Sequence, residues 1–219
     1  MYKKVAFLLT FFLTLASIVI ASPLTDFSPG KVAVDIKYLS NLKFNGSDNY
    51  SANIKTDGVN DNMDYVITAG LSNKIGIRYE QANFEFNNNT IDKFCAYSVK
   101  NKEFAILYKV NKNINTFLGW HRGSRRNLCR NLNSASNDYI QFGIIGKKKI
   151  SNNLDAYGLI DLSNDYKQYE IGLGYKIAKN IDINLFYYLS HLDNLKISPY
   201  NGKYDSRIDG FGGGVTYTF

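Results

Sequence analysis

The sequence predicts an all-β fold, an antiparallel up-and-down transmembrane β-barrel of about ten strands. Three observations predict it. Residues 210–219 end the chain without a charge and alternate, with Val215, Tyr217 and Phe219 on one face and Gly214, Thr216 and Thr218 on the other. A period of two is a strand with one apolar and one polar face. Segments with the same alternation recur along the chain, and their connections are short on one side and long on the other. A barrel that crosses a bilayer separates its loops in this way, whereas a soluble meander has no reason to.

The chain opens with a basic start, Lys3 and Lys4, followed by an apolar run over residues 5–20 that includes Phe7, Leu8, Leu9, Phe11, Phe12 and Leu13. Val19, Ile20 and Ala21 then precede Ser22 and Pro23, the pattern of a secretory signal peptide. The run is about 16 residues where a spanning helix needs about 20, and Pro23 breaks any helix close behind it. The expected division is a signal peptide over residues 1–21 and one barrel domain over residues 22–219. No later stretch approaches about 18 consecutive apolar residues, so membrane insertion must use strands.

The first strand covers residues 31–39, with Val32, Val34, Ile36 and Tyr38 opposite Ala33, Asp35 and Lys37. A long polar stretch separates it from residues 63–71. Ser72, Asn73 and Lys74 turn the chain into residues 75–80, and a second polar stretch leads to residues 103–110. Asn111, Lys112 and Asn113 turn it into residues 114–120, the least regular strand, and residues 121–137 read as a loop. Strands follow at 139–147, 154–162, 169–177 and 181–189, and a last loop precedes the closing strand. The count of ten is even, as single-chain bacterial barrels require; eight is the alternative if two weak segments are loops. The short connections are rich in Asn, which tolerates the left-handed backbone of tight turns.

Composition agrees. There are 17 Tyr and 14 Phe against 3 Pro, which suits strands and aromatic belts. Mean hydropathy is only −0.25, as expected when each strand is half apolar. The formal charge is +7, and +5 once the two lysines of the signal are removed. An export signal argues against nucleic acid as the partner of that charge.

A final Phe with Tyr two residues and Val four residues before it resembles the C-terminal signature of bacterial outer-membrane β-barrel proteins, of the porin-like and opacity-type kind. As a motif the resemblance covers Val215, Tyr217 and Phe219; as architecture it covers nearly all of residues 22–219. It implies export to the outer membrane, reading of those three residues by the barrel-assembly machinery, and contact with outer-membrane lipid and lipopolysaccharide. The expected function is a structural or adhesin-like barrel with a narrow or occluded lumen, able to meet an extracellular ligand through its loops. A small porin for ions or small solutes is the alternative.

Charges fall on the face opposite the apolar stripe: Asp35, Lys37, Asp64, Arg78, Glu80, Glu103, Lys109, Lys147, Asp155, Asp161, Glu170, Lys176 and Asp182. On a lipid face each Lys or Arg would cost about 2–4 kcal/mol at midplane, so these residues are expected in the lumen as structural ion pairs. Phe186 and Tyr188 share that face between two glycine tracks, Gly172 with Gly174 and Gly210 with Gly212 and Gly214. Glycine leaves room where a neighbour approaches closely, so the two rings are expected to lie over these tracks and obstruct the bore.

Signals for chemistry are few. His121 and His191 lie near loop-side strand ends, and a rim couple of His191 and Asp193 resembles the omptin proteases, but a second acidic pair is missing and the chain is short. Lipid A deacylases place His and Ser on one face, whereas Ser190 and His191 are adjacent and point opposite ways. No phosphate loop and no Cys/His cluster of metal spacing is present. The chain is therefore expected to be no enzyme and to need no cofactor or metal, with a rim hydrolase as a distant alternative. Asn45, Asn49 and Asn88 open glycosylation-like triplets, which chance supplies in an Asn-rich chain. Arg122, Arg125, Arg126 and Arg130 crowd one expected outer loop, where they would suit lipopolysaccharide phosphates or an acidic glycan. Cys95 and Cys129 are the only cysteines; in an exported chain they are expected to bond and tie two outer loops.

Overall fold

The computed structural model describes residues 27–48, 54–57, 59–88, 95–127, 134–197 and 202–219. The segment expected to be a signal peptide, Asn49, Cys129 and Arg130 lie outside the described residues, and so does any Cys95–Cys129 bond. Every described element is a strand: β1 (Val32–Asp48), β2 (Ile54–Asp57), β3 (Val59–Gly70), β4 (Ile75–Asn88), β5 (Cys95–Lys109), β6 (Ile114–Asn127), β7 (Ser134–Lys149), β8 (Leu154–Leu162), β9 (Tyr166–Ala178), β10 (Ile181–Ile197) and β11 (Gly202–Thr218). Neighbours pair antiparallel in chain order, and β11 pairs with β1 to close the sheet. β2 and β3 lie on the same edge of β1, β2 against residues 43–46 and β3 against residues 32–38. They are two pieces of one stave, so the barrel has ten.

The short turns are built by local side chains. Ser72 Oγ accepts from the backbone N–H of Lys74 at 3.3 Å and Ile75 at 3.1 Å. Asn111 Oδ1 accepts from Asn113 N–H at 2.8 Å and Ile114 N–H at 3.0 Å. These bonds mimic a backbone turn, which is why Ser and Asn recur there.

Four polar stretches that read as loops are largely strand. β1 runs on to Asp48, β4 to Asn88, β6 to Asn127 and β10 to Ile197, and β3, β5 and β7 begin correspondingly early. Of the loop expected over residues 121–137, residues 121–127 are the end of β6 and residues 134–137 the start of β7. The reason is an inversion of polarity along each strand. In the half nearer the short turns, Ile36, Ile67, Ile106, Leu173 and Leu185 face outward and are exposed, while Lys37, Arg78, Glu103 and Glu170 are buried inside. Beyond that half the pattern reverses. Leu42, Phe44, Phe84, Phe86, Val99, Leu192 and Ile208 are buried inside, and Lys43, Glu85, Lys100 and Arg207 are exposed. The first arrangement suits lipid and the second suits water.

The change of sign places the bilayer boundary. Tyr38, Tyr65, Tyr79 and Trp120 form an outward aromatic row just below it, and Tyr108, Tyr175 and Tyr217 form another near the short turns. Paired aromatic girdles flanking an apolar band are what a membrane-spanning barrel presents. On β10 the band runs from Ile181 to Leu189, about the 9–11 residues a tilted spanning strand needs.

The C-terminus is docked at the seam. Phe219 N–H donates to Val32 O at 2.8 Å, and its ring meets Tyr217 edge-on at 4.6 Å. Deleting Phe219, or replacing it with Asp, is expected to impair outer-membrane insertion. The heat-modifiable gel shift and membrane fractionation report this, and unchanged values for both would refute it.

Candidate functional site: the filled lumen and the loop-side rim

Three layers fill the lumen. At the short-turn mouth Phe27, fully buried, packs with Ala105, Leu107, Phe117, Ile145 and Leu159. Gly70 and Gly76 make room for it: a Cβ on Gly70 would lie 2.3 Å from Phe27 O. Lys109 and Lys176 are partly exposed near this mouth, while Asp35, Lys147, Asp155 and Asp182 are buried. Thr216 donates its hydroxyl to Asp35 and accepts from Asn184 Nδ2 at 2.8 Å.

The middle layer is ionic. Lys37 Nζ lies 2.8 Å from Glu170 Oε2 and 3.7 Å from Asp64 Oδ2. Arg78 pairs with Glu80 and, at 3.1 Å, with Glu103. Tyr157 Oη donates to Glu170 Oε1 at 3.0 Å. Buried charges are normally paired and hydrogen-bonded, and here pairs form between β1, β3 and β9 and between β4 and β5, whereas Asp161, also expected to be ion-paired, makes no ion pair among the described residues. Aromatic faces complete the cations' surroundings: Phe186 lies 5.3 Å from Lys37 Nζ and Phe117 lies 5.9 Å from Arg78. Asp161 is buried as well.

Phe186 lies over the glycine track, since a Cβ on Gly212 would meet its ring at 2.4 Å. Tyr188 belongs to the third layer, with Leu42, Phe44, Phe84, Phe86 and Leu192. This layer was missed from the sequence because its alternation is inverted. Phe44, Phe84 and Phe86, at even spacing within polar stretches, were the signal that could have found it.

The histidines separate. His121 is not in a loop: it points into the barrel and stacks on Tyr166 at 4.0 Å. His191 faces outward, level with Lys167 and Arg207 on the neighbouring strands, and Asp193 is held by Lys167 at 3.2 Å. Three of the four arginines expected in one outer loop lie on a strand instead, and Arg130 is outside the described residues. Arg122, Arg125 and Arg126 belong to β6. The exposed Arg122 guanidinium makes two bonds of 2.8 Å to Asp138 and lies 5.5 Å from the Trp120 ring. It holds the Asp138 carboxyl below the usual carboxylate range.

The rim dips where β8 and β9 end. A polar groove of about 750 Å³ opens there, lined by residues 136–140 of β7, by Ser163, Asn164 and Asp165, and by Asn194 of β10. Among the described residues no group of three or more His, Cys, Asp or Glu is placed to hold a metal ion.

No protein-family model and no curated protein sequence matches the chain. Among solved structures it is similar to the outer membrane protease OmpT from Escherichia coli, with a TM-score of 0.62 and 11% identity over 90% of this chain and 99% of that one. It also aligns with Neisserial surface protein A, at a TM-score of 0.40, 12% identity and 87% and 99% coverage. The attachment invasion locus protein Ail of Yersinia pestis aligns at 0.38, 14% and the same coverage. Of the three, the first is a likeness of the whole fold, and at its identity the likeness is of fold alone. The fold is that of bacterial outer-membrane β-barrels, as the C-terminal resemblance implied.

Proposed function

We propose that this outer-membrane barrel is a non-conducting, non-enzymatic scaffold that holds its loop-side surface at the outer face of the membrane for ligand contact. The observation that carries the reading is the lumen: an ion-paired layer lies between two apolar clusters, that of Phe27 at one mouth and that of Phe44, Phe84 and Phe86 toward the other, and nearly all inward side chains are buried. An open pore needs a continuous polar bore, and the two apolar clusters narrow it at both ends. Against the rim-hydrolase alternative, Asp193 is engaged by Lys167 rather than left to orient His191.

The contact with lipid follows from the exterior. Arg122, Lys167, His191 and Arg207 stand outward just past the aromatic boundary, at the level of headgroup phosphates. Arg and Lys there suit the anionic groups of lipopolysaccharide. Val215, Tyr217 and Phe219 are the residues proposed to be read by the barrel-assembly machinery.

Purified, refolded protein in a planar bilayer is expected to show no steady single-channel conductance. Replacing Phe186 and Tyr188 together with Ala is expected to leave it closed, because Phe27 and its neighbours still block one mouth and Phe44, Phe84 and Phe86 the other. A large, stable open channel in the unmodified protein would overturn the reading in favour of a small porin.

A further inference from the structure

The groove at the rim has a defined construction. β8 ends at Leu162 and β9 begins at Tyr166, whereas β7 extends eight residues further to Ser134 and β10 five further to Ile197. Among the described residues, β7 over 134–141 pairs only with β6, and β10 over 195–197 only with β11. β7 and β10 nevertheless come within 8 Å of each other, Cα to Cα. Two intervening strands would hold them about 14 Å apart, so the approach occurs above the turn, where β8 and β9 are absent.

The floor is locked by hydrogen bonds. Asn194 sits at the irregularity in β10 with φ 57°. Its N–H donates to Asp205 Oδ1 at 2.8 Å and its Nδ2 to Asp165 Oδ1 at 3.0 Å. Asp193 N–H donates to Asp165 O at 2.7 Å, and Tyr166 N–H to Ser163 Oγ at 2.9 Å. A site fixed before binding loses less entropy when it is filled.

The lining chooses the ligand. Among the described residues it contains no Lys or Arg, which disfavours phosphate and sulfate. Its two carboxylates already have partners, Asp138 with Arg122 and Asp165 with Asn194, which disfavours a cation. Ser, Asn and Asp side chains remain as mixed donors and acceptors, and Ile140, level with Trp120, bounds the groove on its membrane side. An added β-strand is also disfavoured. Seating one between two edges needs about 9.6 Å, more than the closest approach of β7 and β10. The volume, about 750 Å³, lies within the range of about 300–1,000 Å³ for small-ligand sites.

We propose that the groove between β7, the β8–β9 turn and β10 binds an uncharged, hydroxyl-rich ligand: the sugar units of a neutral glycan. Carboxamides, hydroxyls and carboxylates meet the sugar hydroxyls. The proposal rests on the reading of the loop-side surface as the ligand-presenting face.

The test is an array of neutral oligosaccharides probed with the folded full chain in detergent, with sulfated glycans and free peptides as further arms. A neutral oligosaccharide should be retained. Asn164→Trp, which fills the groove from the turn, and Ser136→Trp, which fills it from β7, should each weaken retention at least tenfold while the heat-modifiable shift persists. If one variant fails to fold, the other decides. Retention of no neutral oligosaccharide, retention of sulfated glycans or peptides only, or retention unchanged in a folded variant would overturn the proposal. Closed bilayer recordings alongside any of these failures would leave the non-conducting reading standing, so the two fail separately.

Discussion

Arg78→Met is expected to lower the unfolding free energy of the barrel by about 3–5 kcal/mol, the cost of stranding buried charge when one partner of an ion pair is removed. Arg78 is the cation for both Glu80 and Glu103, and all three are buried. Methionine fills similar space and keeps contact with Phe117, so lost packing is a minor part of the change. Denaturant unfolding in detergent, followed by the fluorescence of Trp120, the only tryptophan, measures the difference. Adding Glu80→Gln and Glu103→Gln is expected to recover most of it, because two carboxamides can bond each other without a cation. A loss below about 1 kcal/mol, the level of an exposed pair, would mean that water reaches the ion-paired layer.

Gly143→Val is expected to destabilise by about 3 kcal/mol or more, at or above the upper end of the usual cost of overpacking a core. A Cβ at this position would lie 2.0 Å from Phe117 Cζ and 2.7 Å from Ile160 O. The ring is buried against Arg78 and cannot swing away freely, and the carbonyl belongs to the neighbouring strand. Phe117→Leu in the same chain should restore part of the loss by shortening the ring but not all of it, since the backbone oxygen remains. The midpoint of the heat-modifiable transition reports both variants. A fully folded, unshifted Gly143→Val would show that β7 and β8 can separate locally at little cost.

The two substitutions probe parts of the molecule that were unequally visible in the chain. Arg78, Glu80 and Glu103 were legible as lumen residues because they alternate with Ile77, Tyr79 and Phe104, and a charge at that spacing is excluded from the lipid face. The partners they take were not legible. Glu103 reaches Arg78 across the β4–β5 ladder, and Lys37 reaches Glu170 at a separation of 133 residues. Only closure of the sheet brings β1 near β9. Phe117 was visible only as an irregularity in a weak strand; that it packs over Gly143 depends on the register between β6 and β7.

What the sequence determined by itself was the part of the barrel that lipid constrains. Ile181, Ile183, Leu185, Tyr187 and Leu189 must face hydrocarbon, so their period of two survives in the letters, and with it the strand type, the antiparallel order and the side of the short turns. Past the aromatic boundary water relaxes that constraint. Lys43, Glu85 and Arg207 face outward there at no cost, the apolar stripe moves inside, and a strand can carry residues otherwise typical of a loop. Tertiary structure alone decided the rest: the full strand lengths, the turn of His121 into the lumen onto Tyr166, the closing of the short-turn mouth by Phe27, and the groove where β8 stops short of β7. Each depends on which strand lies alongside which and where each one ends, and the alternation of a single strand carries no record of its neighbour.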